Sequence, residues 1–175
     1  MTDAGGSSPR QAWAHRDGKI DLKPLKPEDW SPGAVAARAQ IAEAFYRFGI
    51  GADEARPDVV ASCFTDDGVF EVAEGQAEPF TRFTGRNEIE AGQASVNRLQ
   101  GDQRRHQITN VVIQDLDLRG GAASALAYGN VVVAADGLSL GATVIYDAQL
   151  RRCHDGCWRF HYFFIGMDFY AGERP

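Results

Sequence analysis

Three glycine-containing turns in the second half of the chain constrain the fold more than any other feature. They are Arg119-Gly120-Gly121, Asp136-Gly137 and His154-Asp155-Gly156, and turns of this kind are typical of tight β-hairpins. The segments around them are rich in β-branched and aromatic residues and cover residues 104–118, 122–135, 138–153 and 157–170. The pattern therefore predicts four long antiparallel strands joined as a meander.

Helical patterns precede these strands. Ser31 and Pro32 form a helix-start signal, and apolar residues then recur at three- and four-residue spacing as far as Ala52. The elements predicted next are a helix at 58–64, a turn at 65–68, a strand at 69–73, an extended segment at 79–83 and a helix at 88–99. Helices followed by antiparallel strands indicate an α+β domain, with the N-terminal helices packed on the concave face of a curved antiparallel sheet, a cone-shaped α+β barrel.

The domain organisation follows from composition. Residues 1–30 combine glycine, serine, proline and charge with isolated apolar residues, which predicts an extended N-terminal arm. Residues 31–175 are predicted to form one pocket-containing domain, because a chain of 175 residues is long enough to enclose a small-molecule site.

The charge pattern argues against a nucleic-acid partner. Lys and Arg number 18 against 24 Asp and Glu, a net charge of −6, and the basic residues are scattered along the chain. No apolar run reaches the roughly 18 residues of a membrane span, and the N-terminus lacks the apolar core of a secretory signal. We therefore expect no membrane partner and a cytoplasmic protein, and three cysteines are consistent with that compartment.

No cofactor and no metal are expected. The sequence contains no glycine-rich phosphate loop, His-rich metal set or nucleophile elbow. Cys153 and Cys157 suggest a zinc knuckle, but a structural zinc site needs four ligands and no second cluster is present. A hairpin turn with cysteines at its base is the favoured interpretation.

Two polar residues are candidates for chemistry. Asp53 lies seven residues after Tyr46, so both fall on nearly the same face of the first helix, beside its apolar stripe. His106 begins a strand whose side chains alternate between faces, so His106 and Asn110 are predicted to share a face. An Asp near a helix end is more often a capping group, and a lone strand His is more often structural, so the pattern alone leaves both interpretations open.

Four motifs, in the same order, resemble the SnoaL-like branch of the nuclear transport factor 2-like fold. They are segment 48–54 followed by Phe64-Thr65-Asp66-Asp67, then Gly85-Arg86-Asn87-Glu88-Ile89, then His106-Gln107-Ile108-Thr109-Asn110, and finally Tyr146 with Asp155-Gly156-Cys157-Trp158. The resemblance covers about residues 39–170. It implies the same curved α+β barrel around a pocket.

The resemblance also implies roles for the two polar residues. In two enzymes of this fold, scytalone dehydratase and hexachlorocyclohexane dehydrochlorinase, a helix-one Asp and a strand His form a catalytic dyad for elimination. By that resemblance His106 is the base and Asp53 its orienting partner. Ala52 stands where scytalone dehydratase has Tyr, and Gly129 or Asn130 lies near the position of its second His. A substrate different from that of scytalone dehydratase is therefore expected.

Further residues are candidates for binding a substrate oxygen, because phenols and amides donate hydrogen bonds where negative charge develops. They are Tyr46, Asn110, Tyr128, Asn130 and Tyr146. Asp147 is the alternative to Tyr146, since neighbouring strand residues point to opposite faces and only one of the two can be inside.

The resemblance implies a cofactor-independent lyase of dehydratase or dehydrohalogenase type, or an isomerase, acting on a small apolar or aromatic substrate. A polyketide-type cyclase would use the same proton abstraction. A non-catalytic ligand-binding or assembly subunit is the alternative of another class, and it would leave Asp53 exposed or His106 bonded to the backbone. Residues 158–165 are apolar on both faces, which favours a homo-oligomer, either a dimer or a trimer.

Overall fold

The computed structural model describes residues 15, 16, 20 and 22–170, so much of the predicted arm lies outside the described residues. After a 3-10 turn at Pro27–Trp30, the helices are α1 Pro32–Asp53, α2 Pro57–Ser62 and α3 Arg86–Leu99. The strands are β1 Phe64–Glu74, β2 Thr81–Thr84, β3 Gln103–Asp117, β4 Ala122–Ala134, β5 Leu138–Arg152 and β6 Trp158–Tyr170. In the part of the chain that the structure describes, no helix is long and apolar enough to span a membrane.

The six strands form one sheet in the order β2-β1-β6-β5-β4-β3. The meander from β3 to β6 is antiparallel throughout, which confirms the hairpins predicted from the three turns. The α+β class is also confirmed. One strand pair departs from the predicted antiparallel sheet, because β1 pairs with β6 in parallel. This pairing is possible because β2, α3 and the meander form the long crossover that parallel neighbours require.

β1 begins earlier than the sequence predicts. Residues 65–68 were predicted to form a turn before a strand at 69–73, yet they lie inside β1. The pairing of β1 with β6 shifts register between Phe64 and Val69, so these residues form an irregularity within the strand. A bulge uses the same Asp and Gly residues as a turn, which explains the wrong prediction.

The core forms where α1 packs on the concave face of the sheet. The Ser31 hydroxyl caps the helix by accepting a hydrogen bond from the Ala34 N–H at 3.3 Å. Phe45 and Phe48 are then buried against Phe163 of β6, with ring centroids 5.7 and 4.7 Å away. Full burial of each such ring stabilises the fold by about 1.5–3 kcal/mol.

Gly49 lets α1 approach β3 closely. A Cβ at this position would lie 3.3 Å from the Cβ of His106 and 3.1 Å from the Cδ1 of Ile108. Glycine inside a helix costs about 1 kcal/mol relative to alanine. At this position it removes a steric barrier between the end of α1 and the start of β3.

The opposite face of the sheet holds a buried carboxylate. Glu71 is only 2% exposed and lies between two residues of β1 whose side chains face the concave side. The Tyr162 hydroxyl donates to Glu71 Oε2 at 2.6 Å, and Arg82 forms an ion pair with the other oxygen. Burial and the Glu71 carboxylate raise the pKa of Tyr162. This network lies on the opposite side of the sheet from the concave face, and its role there is to stabilise the sheet.

Candidate functional site

Asp53 and His106 meet where the end of α1 lies against the start of β3. The distance between His106 Nδ1 and Asp53 Oδ1 is 2.5 Å. The second oxygen, Oδ2, accepts the backbone N–H of His106 at 2.9 Å. The Asp53 side chain is 6% exposed and that of His106 is 18% exposed. One carboxylate therefore fixes both the backbone and the ring of His106.

This geometry sets the chemical state of the imidazole. An ionised carboxylate only accepts hydrogen bonds, so His106 Nδ1 carries a proton toward Asp53. In the neutral ring Nε2 is then the unprotonated nitrogen, and it is the one left for a ligand. A base of this kind receives a proton at Nε2, and the resulting imidazolium is stabilised by the adjacent Asp53 carboxylate.

His106 forms part of the wall of an apolar cavity of about 140 Å³. An apolar cavity of about 150 Å³ is large enough for benzene, so this space holds roughly one ring. The apolar lining residues come from α1, β1, β2, α3, β6 and the segment before β2: Phe48, Ala52, Phe70, Val72, Phe80, Phe83, Val96, Ile165 and Met167. The polar lining residues are Thr81, Gln93, Gln100, Arg104 and His106. The cavity therefore combines an aromatic interior with a small polar region.

Tyr146, rather than Asp147, points to the inside of the barrel. Tyr146 is 1% exposed, and its ring stacks on Phe163 with centroids 5.5 Å apart. Asp147 faces the other side of the sheet, where its Oδ2 lies 3.3 Å from His15 Nε2. Burial, and secondarily the charge of Asp53, raise the pKa of Tyr146, so its phenol stays protonated. Tyr146 packs close to the dyad but is outside the cavity lining.

Three of the other predicted substrate-binding residues lie together on a different surface. Asn110, Tyr128 and Asn130 border a groove with Asp168 on the convex side of the sheet, away from His106. The prediction that Asn110 shares a face with His106 is wrong. Asn110 has a φ of 53° and lies in a register shift between β3 and β4, so the alternation of side chains breaks there.

Tyr46 is also separated from the cavity, since its side chain is 45% exposed. It shares one edge of α1 with Asp53, as the seven-residue spacing predicts. That edge is covered at Asp53, where Gln103 and His106 of β3 lie against it. It is left open at Tyr46, which lies two turns earlier, so the shared face does not bring the phenol inside.

Arg104 is the main polar residue that the sequence interpretation missed. It lies two residues before His106 in β3, so strand alternation places both side chains on one face, and both line the cavity. The two-residue spacing from His106 is the signal in the sequence that points to Arg104. The aromatic wall formed by Phe70, Phe80 and Phe83 had no comparable sequence signal, because it is assembled from separate segments.

The cysteine pair lies in a hairpin, as predicted. The Cys153 N–H donates to the Cys157 carbonyl oxygen at 2.8 Å across the turn between β5 and β6. Among the residues described, no three His, Cys, Asp or Glu side chains are grouped closely enough to hold a metal ion.

Comparison with known proteins agrees with this architecture. The sequence model of the SnoaL-like domain matches residues 33–163. The chain belongs to the SnoaL-like domain family. No curated protein matches it. Family membership confirms the resemblance drawn from the four motifs and the fold that it implied.

Solved structures of the same fold extend the comparison. A Catenulispora acidiphila protein in complex with S-DNPA is 27% identical, with 77% of this chain and 95% of that chain covered and a TM-score of 0.65. A proposed beta subunit of an aromatic-ring-hydroxylating dioxygenase from Novosphingobium aromaticivorans is 20% identical, with coverage of 80% and 94% and a TM-score of 0.69. ActVI-ORFA from Streptomyces coelicolor is 18% identical, with coverage of 74% and 96% and a TM-score of 0.62. The last two likenesses show the fold alone.

Proposed function

We propose that this protein is a cofactor-independent lyase, of dehydratase or dehydrohalogenase type, or an isomerase, with His106 as the general base and Asp53 as its orienting partner. The observation that carries the proposal is the 2.5 Å contact between His106 Nδ1 and Asp53 Oδ1 beside an apolar cavity. A buried carboxylate that fixes one imidazole nitrogen leaves the other as a base of defined direction.

In the proposed elimination one proton moves from the substrate to His106 and then to the leaving group. His106 Nε2 takes a proton from a substrate carbon, and the electron pair of that C–H bond forms the new double bond. The leaving group departs from the adjacent carbon with its own electron pair, and it receives the proton from the imidazolium. For isomerisation, the imidazolium returns the proton to a different carbon. Asp53 stabilises the charged ring throughout.

The size and lining of the cavity support a small apolar or aromatic substrate. A space of about 140 Å³ walled by Phe48, Phe70 and Phe83 suits a single ring better than a charged molecule. A relative that is 27% identical holds S-DNPA, which shows that a protein of this fold takes a small-molecule ligand.

The non-catalytic alternative predicts a different geometry at the dyad. It would leave Asp53 exposed or His106 bonded only to the backbone. Instead, Asp53 is 6% exposed and bonds the ring of His106 directly. Burial of a carboxylate is costly unless it is paired, so this arrangement supports a role that uses the pair.

Turnover of single-ring β-hydroxy and β-halo ketones tests the proposal. His106→Ala and Asp53→Asn should each slow formation of the unsaturated product about 10²- to 10⁴-fold, the usual contribution of general-base catalysis. His154→Ala, in the exposed turn between β5 and β6, is the matched control and should keep the wild-type rate. Product mass separates elimination, which loses the leaving group, from isomerisation or ring closure. Near-native rates in both dyad variants would refute the proposal.

A further inference from the structure

Arg104 lies beside the proposed base in the same cavity. Arg104 and His106 are two residues apart in β3, and residues at this spacing lie about 7 Å apart on one strand face. Both side chains line the cavity. A ligand that presents one atom to His106 therefore has neighbouring atoms within reach of the long Arg104 side chain.

Asp102 holds the Arg104 guanidinium in place. Arg104 Nε donates to Asp102 Oδ1 at 2.8 Å, and Nη2 donates to Oδ2 at 3.3 Å. Gln100 in turn donates to the Asp102 carbonyl oxygen at 2.9 Å. A guanidinium has five N–H donors, and these two bonds use one edge of it. Within the described part of the chain no group accepts from the other three donors, so they remain for a ligand.

The local charges decide what kind of ligand this is. Each basic residue of the cavity wall is paired with a carboxylate, Arg104 with Asp102 and His106 with Asp53, while Arg105 pairs with Glu54 at 3.0 Å outside the cavity. This balance disfavours a substrate that arrives as an anion. It suits a neutral substrate on which negative charge develops while His106 becomes positive, because the total charge in the cavity then stays constant.

We infer that Arg104 is a catalytic residue that donates hydrogen bonds to a substrate oxygen as that oxygen becomes negatively charged, and that the substrates are therefore carbonyl compounds. The inference rests on the proposed role of His106 as base. A halogenated hydrocarbon without oxygen would make no use of this donor. Donors fixed in advance at a developing oxyanion are worth about 10²- to 10³-fold in rate.

The electron flow gives Arg104 a defined step. His106 Nε2 takes the proton from the carbon next to the carbonyl, and the C–H pair forms a carbon–carbon double bond. The carbonyl π pair moves to oxygen, which gives an enolate hydrogen-bonded to Arg104. When the oxygen pair re-forms the carbonyl, the enolate carbon–carbon π pair forms a double bond to the next carbon, and the leaving group departs from that carbon with its own electron pair and takes the proton from His106.

The ligand 4-nitrophenol tests this step without turnover. It has a single ring, its oxygen mimics the enolate, and its ionised form is yellow. At a pH where the free phenol is mostly neutral, we expect the wild-type protein to bind the ionised form, with the proton on His106. Arg104→Gln should lower the ratio of ionised to neutral bound phenol about tenfold or more, because a charge-assisted hydrogen bond is lost.

Arg105→Gln is the matched control, since Arg105 lies next in the chain and outside the cavity, and it should keep the wild-type ratio. Arg104→Lys, which keeps the positive charge beside Asp102 but loses the planar set of N–H donors, should lower the ratio several-fold and provides a second measure if Arg104→Gln does not fold. A wild-type protein that binds no ionised phenol overturns the inference. So does a folded Arg104→Gln or Arg104→Lys variant with the wild-type ratio.

His106→Ala separates this inference from the proposed function. At a pH where 4-nitrophenol is already ionised, the phenolate needs no base to bind beside Arg104. If Arg104→Gln weakens phenolate binding in the His106→Ala background, the donor role of Arg104 is supported even if turnover shows that His106 is not the base. If His106→Ala abolishes turnover but Arg104→Gln leaves phenolate affinity unchanged, the role of His106 as base is supported and the role of Arg104 as donor is overturned.

Discussion

Gly129 is predicted to be the least replaceable glycine of the meander, because the Tyr146 ring lies over it. A Cβ at position 129 would lie 2.4 Å from Tyr146 Cε2 and 3.0 Å from the Tyr146 hydroxyl oxygen. Carbon atoms normally pack about 3.5–4.0 Å apart, so the overlap is about 1 Å. Gly129→Ala therefore forces either the ring or β4 to move.

Neither movement is easy. The Tyr146 ring stacks on Phe163 at 5.5 Å and meets Phe48 edge to face at 6.3 Å, so it has no free space to tilt into. Overpacking a closed core costs about 1–3 kcal/mol and sometimes more. We expect Gly129→Ala to lower the free energy of unfolding by about 3 kcal/mol. For a chain of this size that corresponds to a fall in Tm of about 6–12 °C.

Urea unfolding followed by circular dichroism and tryptophan fluorescence measures the effect. Gly137→Ala is the matched control, because no heavy atom lies within 4 Å of a Cβ there, and its change should stay within about 0.5 kcal/mol. In a Tyr146→Ala background, Gly129→Ala should cost less than half of its cost in the wild-type protein. A loss below about 1 kcal/mol in the wild-type background, or equal losses in both backgrounds, would refute the packing argument.

Other features give shorter tests. Burial raises the pKa of the Cys63 thiol to about 11, so iodoacetamide at pH 8 should label exposed Cys157 and leave Cys63 unmodified, as mass spectrometry would show; labelling of Cys63 should increase only as the pH approaches that value. Tyr162→Phe removes the donor to buried Glu71 and should cost about 1.5–3 kcal/mol in urea unfolding, and a neutral result would contradict this network. Ser31→Ala removes the cap of α1 and should cost about 1 kcal/mol by the same measurement.

Local signals predicted most of the fold. The Asp-Gly and Gly-Gly turns and the Ser31-Pro32 helix start depend on backbone preferences of a few adjacent residues, and each appears where it was predicted. The parallel pairing of β1 with β6 was missed because it joins residues about 90 positions apart. No local pattern contains that information.

Only part of the candidate site could be predicted from the sequence, for the same reason. The residue pattern left Asp53 and His106 as two unconnected candidates, and the family resemblance linked them. Their contact depends on the close approach of α1 and β3 at Gly49, which the sequence shows only as an unfavourable helix residue. Asn110 was misplaced because a left-handed residue inside a strand breaks the alternation on which the prediction relied.

The way in which α1 and β3 hold the proposed dyad has a consequence for how the cavity of this protein can change. Asp53 bonds both the backbone and the ring of His106, so the pair keeps its geometry as long as these two elements stay together. Most of the remaining cavity wall belongs to β1, β2, α3 and β6. Substitutions there can reshape the space for a new ring or side group without disturbing the proposed base. Selection for a different ligand can therefore act on one set of elements while the Asp53–His106 pair on the other stays unchanged.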